Sequence, residues 1–196
     1  MLTRRLTRRL THRLTRRLTH RLTRRLTHRL TRRLGLGLAV VAAANMVACR
    51  DDPVTVYVVR HAEKAATPED DPPLSPVGQA RAAALPETLA RLPGAGPLTA
   101  VFSSPFARTR QTVAPVADRY DLPILTVGAG DIDGVVASLR RLAPGQRALV
   151  AGHSNTVPRI LAALGIRGEI TLSEEAYGDL FVVTLTSPPT LERRTF

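Results

Sequence analysis

Three polar clusters each follow a short run of aliphatic and β-branched residues. Arg60-His61-Ala62-Glu63-Lys64 follows Thr55–Val59, Ser103-Ser104-Pro105-Phe106-Ala107-Arg108 follows Leu98–Phe102, and Gly152-His153-Ser154-Asn155 follows Arg147–Ala151. In an open sheet of parallel strands, polar groups just beyond the strand ends meet at one edge. Two arginines and two histidines, Arg60, His61, Arg108 and His153, therefore converge. Forked guanidinium donors match the oxygens of a phosphate, and a neutral imidazole is a competent covalent nucleophile toward phosphorus. The surrounding cations offset charge on the phosphoryl oxygens. The chain has 5 histidines, and His12, His20 and His28 belong to an N-terminal repeat, so both remaining ones fall in these clusters. A metal site is disfavoured, because two histidines flanked by two arginines repel a cation and no third His or Cys ligand is available. The expected chemistry is transfer from a small phosphorylated substrate, without metal or other cofactor.

The elements that position these residues follow from periodicity. Thr55–Val59 is too short and too uniformly apolar for an amphipathic helix and reads as a buried strand, as do 98–102, 123–127, 147–151 and 180–185. Ser75-Pro76 is an N-cap followed by proline at the first helical position, opening a helix that Pro86 is expected to kink or restart. Further helices are expected over 106–119, from a cap at Asp131 or Asp133 to about 142, and over 157–164. Alternation of strands with helices predicts an α/β fold, a three-layer sandwich with a mostly parallel central sheet and helices on both faces. The loops 65–73 and 128–134 are expected to select the substrate.

Charge separates the chain into parts. Thirteen of the 28 Lys and Arg precede Leu34, where there is no acidic residue, leaving 15 basic against 16 acidic residues beyond it. A basic nucleic-acid-binding fold is thereby disfavoured for the body, and no nucleic acid is expected as a partner. Residues 2–34 repeat Leu-Thr-Arg-Arg with a strict period of four, which lets the leucines drift around a helix and form no fixed face. The apolar, uncharged run Leu34–Cys49 follows directly, shorter than the roughly 20 residues of a membrane-spanning helix. Basic region, short apolar region and small residues are the parts of an export signal. The expected organisation is an export signal over 1–48, an anchor and linker over 49–53, and a catalytic domain over 54–196. The ending Met46-Val-Ala-Cys49 resembles the bacterial lipobox, with Met46 where Leu, Val or Ile is usual; the resemblance implies lipidation of Cys49, membrane attachment, and a periplasmic or cell-surface location.

The body resembles the histidine phosphatase superfamily, the phosphoglycerate mutase-like group. Val56-Tyr-Val-Val-Arg60-His61-Ala62-Glu63 is similar to its strand followed by Arg-His-Gly or Arg-His-Ala, and Ser104-Pro-Phe-Ala-Arg108-Thr-Arg-Gln-Thr112 to its Ser-Pro-x-x-Arg segment. Val150-Ala-Gly-His153 is similar to its second-histidine motif, and Leu74-Ser-Pro-Val-Gly78 to its Leu-Thr-x-x-Gly, with Arg81 where many members carry Gln. The resemblance spans about 54–185 and implies that His61 forms a phosphohistidine, with Arg60, Arg108 and His153 binding the phosphate, and that water completes hydrolysis. The resemblance places the proton donor after the third strand, pointing to Asp133, with Asp131 and Glu63 as rivals. The body lacks room for the insertions of the mutases, which favours hydrolysis over phosphoryl relocation. The alternative is a catalytically silent surface lipoprotein that binds phosphorylated or anionic ligands in the same pocket.

Overall fold

Successive side chains of a strand point to opposite faces, and in the first strand, β1 (Val54–Arg60), both faces are apolar. Val56 and Val58 pack into one core layer, and Tyr57 and Val59 into the other. A strand buried on both faces needs helices on both sides of its sheet. The computed structural model, which describes residues 52–94 and 96–196, has that arrangement. Residues 1–48 and Cys49, with the expectations of export and lipidation, lie outside the described residues.

After β1 come α1 (Pro76–Ala90), β2 (Ala100–Ser103), α2 (Ala107–Tyr120), β3 (Ile124–Thr126) and α3 (Ile132–Arg140). They are followed by β4 (Arg147–Gly152), α4 (Val157–Ala163), β5 (Asp179–Leu185) and β6 (Thr190–Thr195). The six-stranded sheet has the order β3-β2-β4-β1-β5-β6. The pairs β3–β2, β2–β4 and β4–β1 are parallel, whereas β1–β5 and β5–β6 are antiparallel. One layer joins Val113 and Val116 of α2 to Leu85 and Leu89 of α1; the other joins Val135 and Leu139 of α3 to Ile160 and Leu161 of α4. The expected three-layer α/β sandwich with a mostly parallel sheet is the observed fold. Among the described residues, no helix is long and apolar enough to cross a membrane.

Two elements depart from the sequence expectations. Helix α1 runs unbroken through Pro86, which was expected to kink or restart it. The proline costs one backbone hydrogen bond, but Leu85, Pro86 and Leu89 are all buried against the sheet, and their packing holds the helix together. Strand β6 was not expected. Its sequence, Thr-Leu-Glu-Arg-Arg-Thr, is exposed at five of six positions and offers no apolar alternation; pairing with β5 over six positions makes it an edge strand. The charged side chains also blunt that edge against further pairing.

Helix α1 begins as its residues dictate, with the Ser75 hydroxyl accepting a hydrogen bond from the Gly78 amide at 3.1 Å. Gly78 lies against the backbone of Glu63, the second residue after His61, and a Cβ there would stand 2.2 Å from the Glu63 carbonyl oxygen. The glycine of Leu74-Ser-Pro-Val-Gly78 thus allows α1 to support the loop that follows β1. Gly78→Ala is expected to destabilise the domain by roughly 1–3 kcal/mol through overpacking against backbone. Urea unfolding monitored by circular dichroism would measure it, and an unchanged midpoint would show that α1 does not need this close approach.

Candidate active site

Sheet register sets the level of the site. Arg60 of β1 pairs with Gly152 of β4, and Ala151 of β4 pairs with Ser103 of β2, so all three central strands end together. The next residues, His61, His153 and Ser104, leave the sheet at one edge. The His61 amide extends the ladder by donating to the Gly152 carbonyl at 2.9 Å. At the β4 end, the Thr156 hydroxyl accepts from the His153 amide at 2.8 Å, and a Cβ on Gly152 would meet that hydroxyl at 2.8 Å. The Arg108–Thr112 segment is bound to the His61 loop from the side. The Ala62 amide donates to the Thr112 hydroxyl at 2.9 Å, and that hydroxyl donates to the Arg108 carbonyl at 2.7 Å. One residue before Thr112, the Gln111 side-chain carbonyl accepts from the Leu74 amide at 2.7 Å.

The two imidazoles meet edge to face, with centroids 5.3 Å apart. The His61 Nδ1 lies 2.8 Å from the Ala62 carbonyl oxygen. A carbonyl only accepts, so Nδ1 carries the proton and Nε2 keeps its lone pair. The His153 Nε2 lies 2.9 Å from the Ser104 hydroxyl, which lies 2.6 Å from the Thr109 hydroxyl. Thr109 donates its one proton to a carbonyl, that of Phe106 at 2.8 Å or of Ser104 at 3.2 Å. The Ser104 hydroxyl thus engages His153 Nε2, and the His153 Nδ1 remains for a ligand.

Burial pushes the His61 pKa down to about 4, with His153, Arg60 and Arg108 adding repulsion to its protonated form and only the Ala62 carbonyl opposing. Burial likewise lowers His153 to about 4, helped by Arg108 and Arg60. Both rings are neutral at pH 7, and His61 keeps the lone pair of its Nε2 near two cations.

Arg60 is 2% exposed. It donates to the carbonyls of Ser173 at 2.7 Å and Ala176 at 3.3 Å and to the Glu174 carboxylate at 3.2 Å, and its guanidinium lies 4.3 Å from the Tyr177 ring centroid. The Arg108 guanidinium stacks on Phe106 at 4.4 Å, and its Nη1 is 3.7 Å from the Asp71 carboxylate. Asp71 also accepts from the Ala107 amide at 2.9 Å, closing the start of α2. The buried Nε atoms of Arg60 and Arg108 have no hydrogen-bond acceptor among the described residues. Unpaired buried donors on cations are costly, and a phosphate supplies acceptors for both. The four residues line one open cleft of about 430 Å³.

The proton-donor candidates fare differently. Asp133 is exposed on the first turn of α3 and does not line the cleft. Asp131 is the N-cap of α3, its carboxylate accepting from the Gly134 amide at 2.8 Å. Glu63 is held by Arg81 through contacts of 2.7 to 3.0 Å, which lower its pKa. The carboxylate that does line the cleft is Glu174, which accepts from the Ser154 hydroxyl at 2.7 Å. That hydrogen bond, with the charges of Arg60, Lys64 and His61, lowers its pKa, so it is ionised at neutral pH. Sequence reasoning missed Glu174, Tyr177 and Asp71, which lie in irregular segments without a periodic or motif signal. Among the described residues, no group of three or more His, Cys, Asp or Glu is placed to hold a metal ion.

Both histidines bind a proton more weakly in the folded protein than their ordinary value of 6.5. Between pH 6.5 and about 4 the unfolded chain therefore holds more protons, and stability falls as pH falls through that window. The expected result is a urea midpoint that drops between pH 7 and 4.5, with a shallower dependence in His61→Asn. Equal slopes for the two proteins would show that His61 does not titrate with folding.

The "Histidine phosphatase superfamily (branch 1)" family model matches residues 56–128, a stretch that holds Arg60, His61 and Arg108. No curated protein sequence matches the chain significantly. Among solved structures, the protein histidine phosphatase SixA complexed with tungstate is 24% identical, with a TM-score of 0.59 over 72% of this chain and 96% of that one. A putative alpha-ribazole-5'-P phosphatase from Escherichia coli K-12 is 14% identical, with a TM-score of 0.58 over 74% of this chain and 97% of that one. The putative phosphohistidine phosphatase SixA from Agrobacterium tumefaciens is 21% identical, with a TM-score of 0.53 over 72% and 98%. At these identities the likeness is one of fold, and over residues 56–128 the chain is similar to the histidine phosphatase superfamily.

Proposed function

We propose that the domain hydrolyses phosphomonoesters through a phosphohistidine on His61, without a metal ion. The observation that carries this reading is the hydrogen bond from His61 Nδ1 to the Ala62 carbonyl, which leaves Nε2 unprotonated on a ring that lines the same cleft as Arg60 and Arg108. The structural neighbours named as phosphatases support the same class of reaction.

In the first step His61 Nε2 attacks phosphorus and the ester P–O bond breaks, its electron pair going to the leaving oxygen. Arg60, Arg108 and a protonated His153 Nδ1 balance charge on the phosphoryl oxygens. A bound phosphate favours that proton on His153, because it adds an anion to a ring otherwise surrounded by cations. Glu174 is ionised and does not donate, so water protonates the leaving oxygen. In the second step water attacks phosphorus, the P–N bond breaks, and the pair returns to Nε2; the water proton passes to bulk solvent. Throughout, Nδ1 keeps its proton on the Ala62 carbonyl, so the phosphorylated ring is cationic and a good leaving group.

A recombinant domain beginning near Asp52 should hydrolyse aryl phosphates in the presence of EDTA, and His61→Ala should reduce turnover to below a few per cent. Residual activity above that level would remove His61 as nucleophile, and loss in EDTA restored by a divalent ion would remove the metal-free mechanism. Phosphate binding by calorimetry without turnover by the unmodified domain would favour the silent binding protein instead.

We further propose that residues 1–48 direct export and that Cys49 is lipidated, a reading supported by the apolar run Leu34–Cys49 preceded by arginines. Several acyl chains anchor a protein stably where a single one does not. Cys49→Ser in the full-length protein is expected to move the protein from the membrane to the soluble fraction; unchanged partitioning and unchanged mass would count against lipidation.

A further inference from the structure

The cleft is more cationic than one phosphoryl group requires. Arg60, Lys64, Arg108 and Arg159 line it against the single carboxylate of Glu174, although the chain beyond Leu34 is close to neutral, with 15 basic and 16 acidic residues. Arg60, which is buried, and Arg108, which is partly buried, share the cleft with His61, and the Nε of each has no acceptor among the described residues, which commits both to the phosphoryl position. Lys64 and Arg159 are not. Both are exposed, on the loop after β1 and on α4 respectively. Neither has an ion-pair partner within 4 Å among the described residues. Lys64 is near enough to Glu174 to help lower its pKa, whereas Arg159 has no such influence on it. At about 430 Å³ the cleft is of the size that takes a small organic ligand, so the leaving group of a substrate has room between these side chains.

We propose that the substrate's leaving group is itself anionic, carrying a carboxylate or a second phosphate, and that Arg159 together with Lys64 binds that second charge. The proposal rests on the phosphatase reading and names the substrate class of the same cleft. A long flexible cation at the rim of a partly desolvated cleft attracts such a group without entering the chemistry, and the attraction is screened by salt. Asn155, also in the lining, adds an amide donor and acceptor at the same rim.

The test compares 4-carboxyphenyl phosphate with its near-isostere 4-carbamoylphenyl phosphate on the same domain. The amide is the better leaving group, so chemistry alone favours it. The expected result is a kcat/KM about fivefold higher for the carboxylate at low salt, shrinking as ionic strength rises. The carboxylate-to-amide ratio should fall toward that of chemistry alone in Arg159→Gln and Lys64→Gln, and should invert in Arg159→Glu. A ratio at or below one in the unmodified domain, or one insensitive to all three variants, overturns the proposal. If neither ester turns over, the phosphatase reading fails. The subsite is then read from calorimetric dissociation constants of the two esters: preference for the carboxylate that Arg159→Glu abolishes supports it, and equal binding overturns it. An arm with a bisphosphate and its monophosphate distinguishes a second phosphate from a carboxylate as the preferred group.

Discussion

A guanidinium at 2% exposure is the constraint around which the site is organised. Arg60 ends a central strand whose two faces are both covered, so its charge cannot reach water along the sheet. Burying an ion costs several kcal/mol unless its surroundings replace the lost hydration. Here the segment 173–177 does so, with the carbonyls of Ser173 and Ala176, the carboxylate of Glu174 and the ring face of Tyr177. That segment has little apolar content of its own to hold it in place, and Arg60 is what it folds around. The geometry of the cleft wall on the β5 side therefore follows from one side chain on β1. The Arg60 Nε, which has no acceptor among the described residues, remains as a donor for an oxyanion.

The same cations govern protonation. Two histidines close to two arginines and deep enough to be largely dehydrated are held neutral, with pKa values near 4. A neutral imidazole still has two tautomers, and the backbone selects between them. The Ala62 carbonyl holds the His61 proton on Nδ1, while the Ser104 hydroxyl, paired with that of Thr109, engages His153 through Nε2. One ring is left with its Nε2 lone pair toward the cleft, and the other with its Nδ1. Identical side chains thus take different roles through the partner on the opposite nitrogen. Glu174 follows the converse logic, since the Ser154 hydroxyl and nearby cations keep it ionised and remove it as a proton donor.

Several motif residues near the site bind chain segments together and do no chemistry. Thr112 and Gln111 pin α2 to the His61 loop and to Leu74, so Arg108 approaches from a fixed direction. Gly78 and Gly152 mark where backbone or hydroxyl comes too close for a Cβ. Asp71 closes the start of α2 while pairing with Arg108, and so ties the 65–73 loop to the Arg108 side chain. Placing four side chains from three strand ends to within an ångström requires such contacts, because each loop alone has too few apolar residues to hold its shape.

By itself the sequence determined the core of this protein. Short apolar runs separated by helical stretches imply buried parallel strands with helices on both faces, since no other layering covers both sides of such strands. The positions of Arg60, His61, Arg108 and His153 after those runs imply convergence at one edge, and the motifs around them pointed to the superfamily. The rest depended on tertiary structure. Strand β6 is polar and becomes a strand only by pairing with β5, and α1 survives Pro86 only through what it buries. Asp133 follows the third strand in sequence pattern but is not among the residues that line the cleft, whereas Glu174 is 113 residues beyond His61 and yet lines it. Periodicity reports what a segment buries, which is a local property of the chain. Which carboxylate reaches a cation, which nitrogen of a histidine holds its proton, and which cations remain unpaired are set by contacts between distant segments, and only the folded chain decides them.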